Sequence, residues 1–403
     1  MSHRRAPRTL RAALALVLLP AAATRAQGLP TTTPAPSGPF AVGRRAFTWV
    51  DSARRDPADG TRPREIPGWV WYPAARVDGA VPEPALDQPW NDLRAAASAQ
   101  KIGAGAAELV RHLRVHAVTG APWSDAVRRA PVLLFVPGNG WLPTDYSVLL
   151  EDLASRGYVV VGIAPTGLAD VVRLGDGRVV NKVLGVGAAI GTDQAEAHRD
   201  LLHVLGRLRD LDAARGAPWA GHLDLARVGA FGHSLGGTTA LVAAARDTIV
   251  KAAVNLDGDP MGDVVQVRPR QPLLFVSHEL PPMSEAPPAP SAEWTRLTSE
   301  GMARSEARRS GEWAGISSQA AWARRIRIHS IRHLNFTDAA LVSTAIEGPK
   351  LRWMRWGPID GARGLRLASQ LTAAFFDQAL RGTPAGDALC ETRCAEGELE
   401  RLP

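Results

Sequence analysis

Short apolar-rich runs recur along the middle of the chain, separated by longer stretches in which apolar and polar residues alternate at helical spacing. The runs are Val132–Val136, Tyr158–Ile163, Arg227–Phe231, Ala252–Leu256, Leu273–Ser277 and Ile326–Ile331. Strands that read as continuous apolar segments are buried on both faces, as in a parallel sheet covered by helices. The intervening stretches predict helices at about Tyr146–Arg156, residues 192–215, Thr238–Arg246 and Gly361–Leu380. Strand–helix alternation of this kind predicts an α/β fold, with a mostly parallel central sheet and helices on both faces. Ahead of it, Phe47–Asp51 and Ile66–Tyr72 read as a hairpin joined by an Arg/Asp/Gly-rich turn.

Two segments interrupt the alternation. Residues 74–130 hold a proline-rich stretch and one alanine-rich helical segment, about Leu93–Leu113. Residues 279–322 begin proline-rich and continue with helical pieces carrying Trp294, Trp313 and Trp322. Insertions this long between core elements are expected to form a lid or a substrate wall. A second tryptophan-rich stretch, Leu351–Trp356, suggests through Trp353 and Trp356 a transient contact with a membrane surface.

The termini change the charge picture. The formal net charge is +7, but Arg4, Arg5, Arg8, Arg11 and Arg25 lie in the first 26 residues with no acid among them, and without them the chain stands at +2. No basic stripe with interleaved aromatics remains, so nucleic acid is not an expected partner. The basic start, the short apolar run Ala12–Leu19 and the small residues of Thr24-Arg25-Ala26 form a secretory signal peptide, residues 1–26. Its apolar run, ended by Pro20, is too short to span a bilayer. Export to the periplasm or the medium is the expectation. Residues 27–39, rich in Thr, Pro and Gly, read as a flexible linker, residues 40–385 as the α/β domain, and residues 386–403 as a tail. That tail holds both cysteines, Cys390 and Cys394, and export favours a disulfide between them.

The chemistry concentrates in Gly232-His233-Ser234-Leu235-Gly236, between an apolar strand and a helical stretch. A sharp turn there lifts one serine hydroxyl clear of the sheet, and the residues two before and two after must be small. Such a serine needs a histidine to accept its proton and an acid to orient that histidine, in the chain order serine, acid, histidine. His333, just beyond the last strand, is the candidate base. His329 falls inside that strand and is expected to point into packing, His278 occupies a position where an acid would ordinarily stand, and His233 lines the turn. Two positions compete for the acid: Asp257, ending the strand Ala252–Leu256, and Glu279, after the following strand; Asp259 and Asp338 lie further off. For the oxyanion, one donor is expected from the amide of Leu235 and a second from the loop after Val136, at Asn139 or Gly140. No dinucleotide fingerprint, phosphate loop or zinc signature is present.

These motifs resemble the α/β-hydrolase superfamily, and within it the plasma-type platelet-activating factor acetylhydrolases. The resemblance rests on Trp71-Tyr72-Pro73, the strand Val132–Val136 leading to Asn139, Asp152–Tyr158, Gly232–Gly237, Leu256-Asp257, and His333 with Phe336 and Asp338. It implies an α/β-hydrolase fold, Asp257 rather than Glu279 as the acid, no metal or other cofactor, and a lipid or small-molecule ester substrate carrying a short or oxidised acyl chain. The loop Pro137-Gly138-Asn139-Gly140 departs from the family pattern, in which a histidine usually precedes the glycine. A polyester or lactone hydrolase, a peptidase of the same fold, or a non-catalytic hydrolase-like binding protein are the alternatives.

Overall fold

The computed structural model describes residues 32–184, 190–216, 219–286, 291–345 and 353–403; the expected signal peptide and residues 27–31 of the expected linker lie outside them. Fourteen strands are present among these residues: β1 (Ala41–Arg55), β2 (Pro63–Ala74), β3 (Glu83–Pro84), β4 (Arg114–Val115), β5 (Val118–Thr119), β6 (Ala130–Val136), β7 (Val159–Ile163), β8 (Val171–Arg173), β9 (Val179–Asn181), β10 (Leu223–His233), β11 (Val250–Leu256), β12 (Leu273–Ser277), β13 (Ala323–Ile328) and β14 (Leu399–Leu402). The helices are α1 (Trp90–Ile102), α2 (Ala104–His112), α3 (Ser147–Ser155), α4 (Ile190–Ala213), α5 (Leu235–Arg246), α6 (Ala292–Ser317) and α7 (Gly361–Arg381).

Ten strands form one sheet in the order β14-β13-β12-β11-β10-β6-β7-β2-β1-β5. From β7 to β13 every neighbouring pair is parallel. The β1–β2 hairpin joins antiparallel through β2 and β7, and β14 closes the far edge antiparallel to β13. Two apolar clusters, one on each face, bury the sheet; Phe231, Val254 and Phe376 belong to one, Val228, Ala253 and Leu241 to the other. This is the expected doubly covered α/β sheet, with the strand order of the α/β-hydrolase fold.

Several elements depart from the sequence reading. The alanine-rich segment is two helices, because Gly103 takes φ 101°, a conformation that ends α1 and starts α2 on a new axis. The last parallel strand ends at Ile328 rather than Ile331, so His329 sits in the turn beyond it. Its side chain is part exposed, 3.5 Å from Glu279, instead of pointing into packing. Trp353 and Trp356 are buried, at 9% and 4% exposure, and therefore offer no aromatic pair to a membrane surface. Cys390 and Cys394 form a disulfide in the tail, next to the edge strand β14. No helix among the described residues is long and apolar enough to cross a membrane.

Candidate active site

Val228–Gly232 of β10 pairs with β6 on one side and β11 on the other, so its carboxyl end projects from the middle of the sheet. There the chain must pass from strand to helix within two residues. Ser234 takes φ 55° and ψ −121°, a region that costs a non-glycine residue about 1–3 kcal/mol. The flanking glycines are sterically required: a Cβ on Gly236 would stand 1.9 Å from the Val136 carbonyl oxygen, and one on Gly232 would stand 2.4 Å from the same atom. The turn is held from outside by the Ser234 amide, which donates to the Leu256 carbonyl at 2.9 Å.

Asp257 ends β11, one strand over. It too has a positive φ, 56°, and its amide donates to the Val276 carbonyl of β12 at 2.7 Å. Asn255 braces the turn, donating to the Gly258 carbonyl and accepting the Gly258 amide. His333 enters from beyond β13 on a tight turn. The turn is fixed by Asn335 Oδ1, which accepts the amides of Arg332 (2.8 Å) and Gly357 (2.7 Å).

These three side chains, 99 residues apart at the extremes, meet at one rim of the sheet. The His333 Nε2–Ser234 Oγ distance is 3.1 Å, and His333 Nδ1 lies 2.6 Å from Asp257 Oδ2. Asp257 is buried, while His333 is part exposed. Burial alone would raise the Asp257 carboxyl. The charges and hydrogen bonds of His278 and His333 override it and hold the group well below the usual carboxylate range. Asp257 is thus an ionised acceptor. An ionised Asp257 beside Nδ1 favours the His333 tautomer with its proton on that nitrogen, which leaves Nε2 to accept from the serine hydroxyl.

The structure also answers for the other sequence candidates. Glu279 is turned away, accepting the Ser330 amide at 3.0 Å and facing His329. Asp259 pairs with Arg309 of α6 at 3.1 Å, and Asp338 is buried, capping α3 through the amides of Ser147 and Val148. His278 was not singled out as a partner of the acid, yet its Nδ1 lies 2.7 Å from both Asp257 oxygens and its amide donates to Oδ1 at 3.0 Å. The signal for it is register: Leu256 and Val276 are level in the β11–β12 ladder, so the two strands end within one residue of each other and His278 follows one residue beyond the position level with Asp257. His233 is fully buried behind the turn. The Tyr146 hydroxyl accepts the Gly138 amide at 3.1 Å and is hydrogen-bonded to His233 Nδ1 at 2.9 Å. Burial, then the neighbouring His333, keeps the His233 ring well below the ordinary imidazole range, hence neutral. His233, Asp257 and His333 bring donor atoms within 4.8 Å of one another, but His333 Nδ1 and His233 Nδ1 are already hydrogen-bonded.

Ser234 and His333 open onto a cleft of about 170 Å³ that Asn139 and Leu235 also line. In the loop after β6, the Gly140 amide is committed to the Leu168 carbonyl at 3.0 Å. The amides of Asn139 and Leu235 have no acceptor among the described residues. The far lining is largely polar, with Gln194, Thr238 and Asp259 beside Met261. Gln194 locks that wall: its Nε2 donates to Thr238 Oγ1 and the Met261 carbonyl, both at 2.8 Å, and its Oε1 accepts the Asp263 amide at 2.7 Å. A hydroxyl in contact with an imidazole, an ionised carboxylate behind that imidazole and two free amides at one cleft are the parts needed for acyl transfer.

The family described as platelet-activating factor acetylhydrolase, isoform II, matches residues 217–388, a stretch that contains Ser234, Asp257 and His333. A probable 1-alkyl-2-acetylglycerophosphocholine esterase of Arthroderma benhamiae is 25% identical over 260 residues, covering 58% of this chain and 60% of that protein. The platelet-activating factor acetylhydrolase of Canis lupus familiaris is 27% identical over 192 residues, 40% of this chain and 43% of its own length. The chain therefore spans roughly half the length of these curated relatives. A solved structure of a ferulic acid esterase from Streptomyces cinnamoneus superposes with a TM-score of 0.71 at 25% identity, over 92% of this chain and 99% of that one.

Proposed function

We propose that this chain, an α/β-hydrolase fold that resembles the isoform II platelet-activating factor acetylhydrolases, is an exported serine esterase. Ser234 Oγ attacks the ester carbonyl carbon while His333 Nε2 takes its proton. Asp257 holds the imidazole in the required tautomer and balances the imidazolium that forms. The amides of Leu235 and Asn139 receive the oxyanion of the tetrahedral intermediate. Collapse expels the alkoxide, which collects its proton from His333 and leaves an acyl group on Ser234. Water then attacks this acyl-enzyme through the same relay and releases the acid.

The observation that carries the reading is the continuous contact from hydroxyl to imidazole to carboxylate, 3.1 Å and 2.6 Å, at the carboxyl ends of parallel strands. A small cleft with a mostly polar wall supports short or oxidised acyl groups over long alkyl chains, and the curated relatives' names point to acetyl esters of phospholipids. The ferulic acid esterase neighbour makes an aromatic acyl ester the second substrate class to examine. Export is supported by the basic and apolar pattern of residues 1–26 and by the Cys390–Cys394 disulfide. Hydrolysis of p-nitrophenyl esters from acetate to palmitate tests both points. The expected result is a maximum at two to four carbons and no turnover by Ser234→Ala; a maximum at long chains would overturn the substrate class, and turnover by the variant would overturn the mechanism.

A further inference from the structure

We propose that Lys101, carried by the 74–130 insertion, is a positioning residue that sets the oxyanion amide of Asn139. This rests on the serine esterase reading above. Lys101 is the penultimate residue of α1, and its Nζ donates to the Asn139 carbonyl oxygen at 3.0 Å. The same ammonium is pinned by Asp170 at 3.0 Å and lies 5.1 Å above the Trp141 ring. Asp170, which lies outside the loop, together with helix α1, holds the ammonium in place for this contact with the loop.

The loop itself has little freedom to settle elsewhere. Gly140 takes φ 85°, and a Cβ there would meet Lys101 Nζ at 2.1 Å and Asp170 Oδ1 at 2.2 Å, so the backbone passes directly against the ion pair. Gly140 also gives its amide to Leu168 and receives the Asp170 amide at 3.2 Å. The buried Arg94 repeats the pattern from the same helix, with Asp145 Oδ1 at 3.0 Å and its guanidinium 5.3 Å from Trp141. The Asn139 carbonyl belongs to the peptide that follows the Asn139 amide. The Asn139 N–H shares its peptide plane with the Gly138 carbonyl, which accepts the Trp141 amide at 3.0 Å, and the planes on either side are held by Tyr146 at the Gly138 amide and by Lys101 at the Asn139 carbonyl, so the three bonds together set where the Asn139 N–H points. Burial lowers the Lys101 ammonium from the ordinary lysine range, with Asp170 opposing, as expected of a charge kept for a fixed partner rather than for solvent.

A donor aimed before the reaction starts stabilises the transition state far more than the bound ester, so the effect belongs in kcat. Lys101→Met keeps most of the packing and removes the hydrogen bond. The expected result is a kcat for p-nitrophenyl acetate reduced roughly 10- to 100-fold with KM within about twofold, because misaiming one donor costs up to what losing it costs. Affinity for a short alkyl trifluoromethyl ketone, which forms an oxyanion on the serine, should fall by the same factor as kcat/KM. Chemical rescue separates aim from general damage. Lys101→Cys, treated with 2-bromoethylamine, becomes a thioether analogue of lysine as the thiolate displaces bromide; Cys390 and Cys394 are held in their disulfide and do not react. Recovery of kcat by at least fivefold on the same folded sample supports the proposal, and this arm decides it should Lys101→Met fail to fold. An unchanged kcat in Lys101→Met, or a loss that aminoethylation leaves in place, overturns it. Ser234→Ala run alongside keeps the two readings apart: if that variant retains turnover, the esterase mechanism fails, whatever Lys101 does.

Discussion

Replacing Asp257 by Asn removes one unit of charge and almost no volume, so its consequences follow from hydrogen-bond directions. The carboxylate faces three donors: His333 Nδ1 at 2.6 Å, His278 Nδ1 at 2.7 Å and the His278 amide at 3.0 Å. An amide side chain has a single accepting oxygen, and its NH2 group must confront one of those N–H bonds. The backbone amide cannot rotate away, so the conflict passes to an imidazole. If His333 yields, it shifts its proton to Nε2, which then faces the Ser234 hydroxyl as a donor and cannot take its proton. The expected loss in kcat/KM is about 10³- to 10⁴-fold, or roughly 4–5.5 kcal/mol of transition-state stabilisation. Initial rates with p-nitrophenyl acetate, on protein whose circular dichroism matches the parent, measure it. Glu279→Gln is the companion variant, since Glu279 touches Ser330 and His329 but not His333 among the described residues; it should lose less than about threefold. A loss under tenfold in Asp257→Asn, or a larger loss in Glu279→Gln, refutes the reasoning.

Two further outcomes concern stability. Arg64 and Asp200 are both fully buried and joined by two hydrogen bonds, 2.6 Å and 2.5 Å, between β2 and α4; Asp200→Ala strands the guanidinium and should cost about 3–5 kcal/mol in urea unfolding, whereas a cost below 1 kcal/mol would mean the pair is idle. Glu151 is buried on α3, and burial pushes its carboxyl up to about 7 against the opposing amides of His116 and Ala117. Its raised value means that its contribution to stability is complete below the unfolded value near 4.5 and is lost as pH rises through about 7. The urea midpoint of the parent should therefore fall, relative to that of Glu151→Gln, between pH 5 and pH 8; parallel profiles would show that Glu151 does not titrate in that window.

How far the chain could be read in advance depended on whether the cause was local. Gly232 and Gly236 flank a serine whose backbone forces small neighbours, so five consecutive residues announce the turn without knowledge of the fold. The apolar runs announce buried strands for the same reason, and β6, β10, β11 and β12 lie where the pattern puts them. His278 depended instead on two strands ending within one residue of each other, which no single segment reveals. His329 was misread because the final strand starts and stops three residues early, with β14 pairing from the tail and taking the His329 amide through Glu398. Trp353 and Trp356 read as surface aromatics in a charged stretch, yet both are buried. The role proposed for Lys101 was equally illegible, because an alanine-rich insertion gives no sign of which loop it will meet.

The central claim is that the Ser234 hydroxyl is the nucleophile of an ester hydrolase. Its most direct test is labelling with a fluorophosphonate, which phosphonylates activated serines, followed by peptide mass spectrometry of the intact full-length protein. The account predicts stoichiometric modification of Ser234 with matching loss of p-nitrophenyl acetate hydrolysis, and no label on Ser234→Ala. Hydrolysis that persists after full modification of Ser234, or a label seated on a different serine, would contradict it.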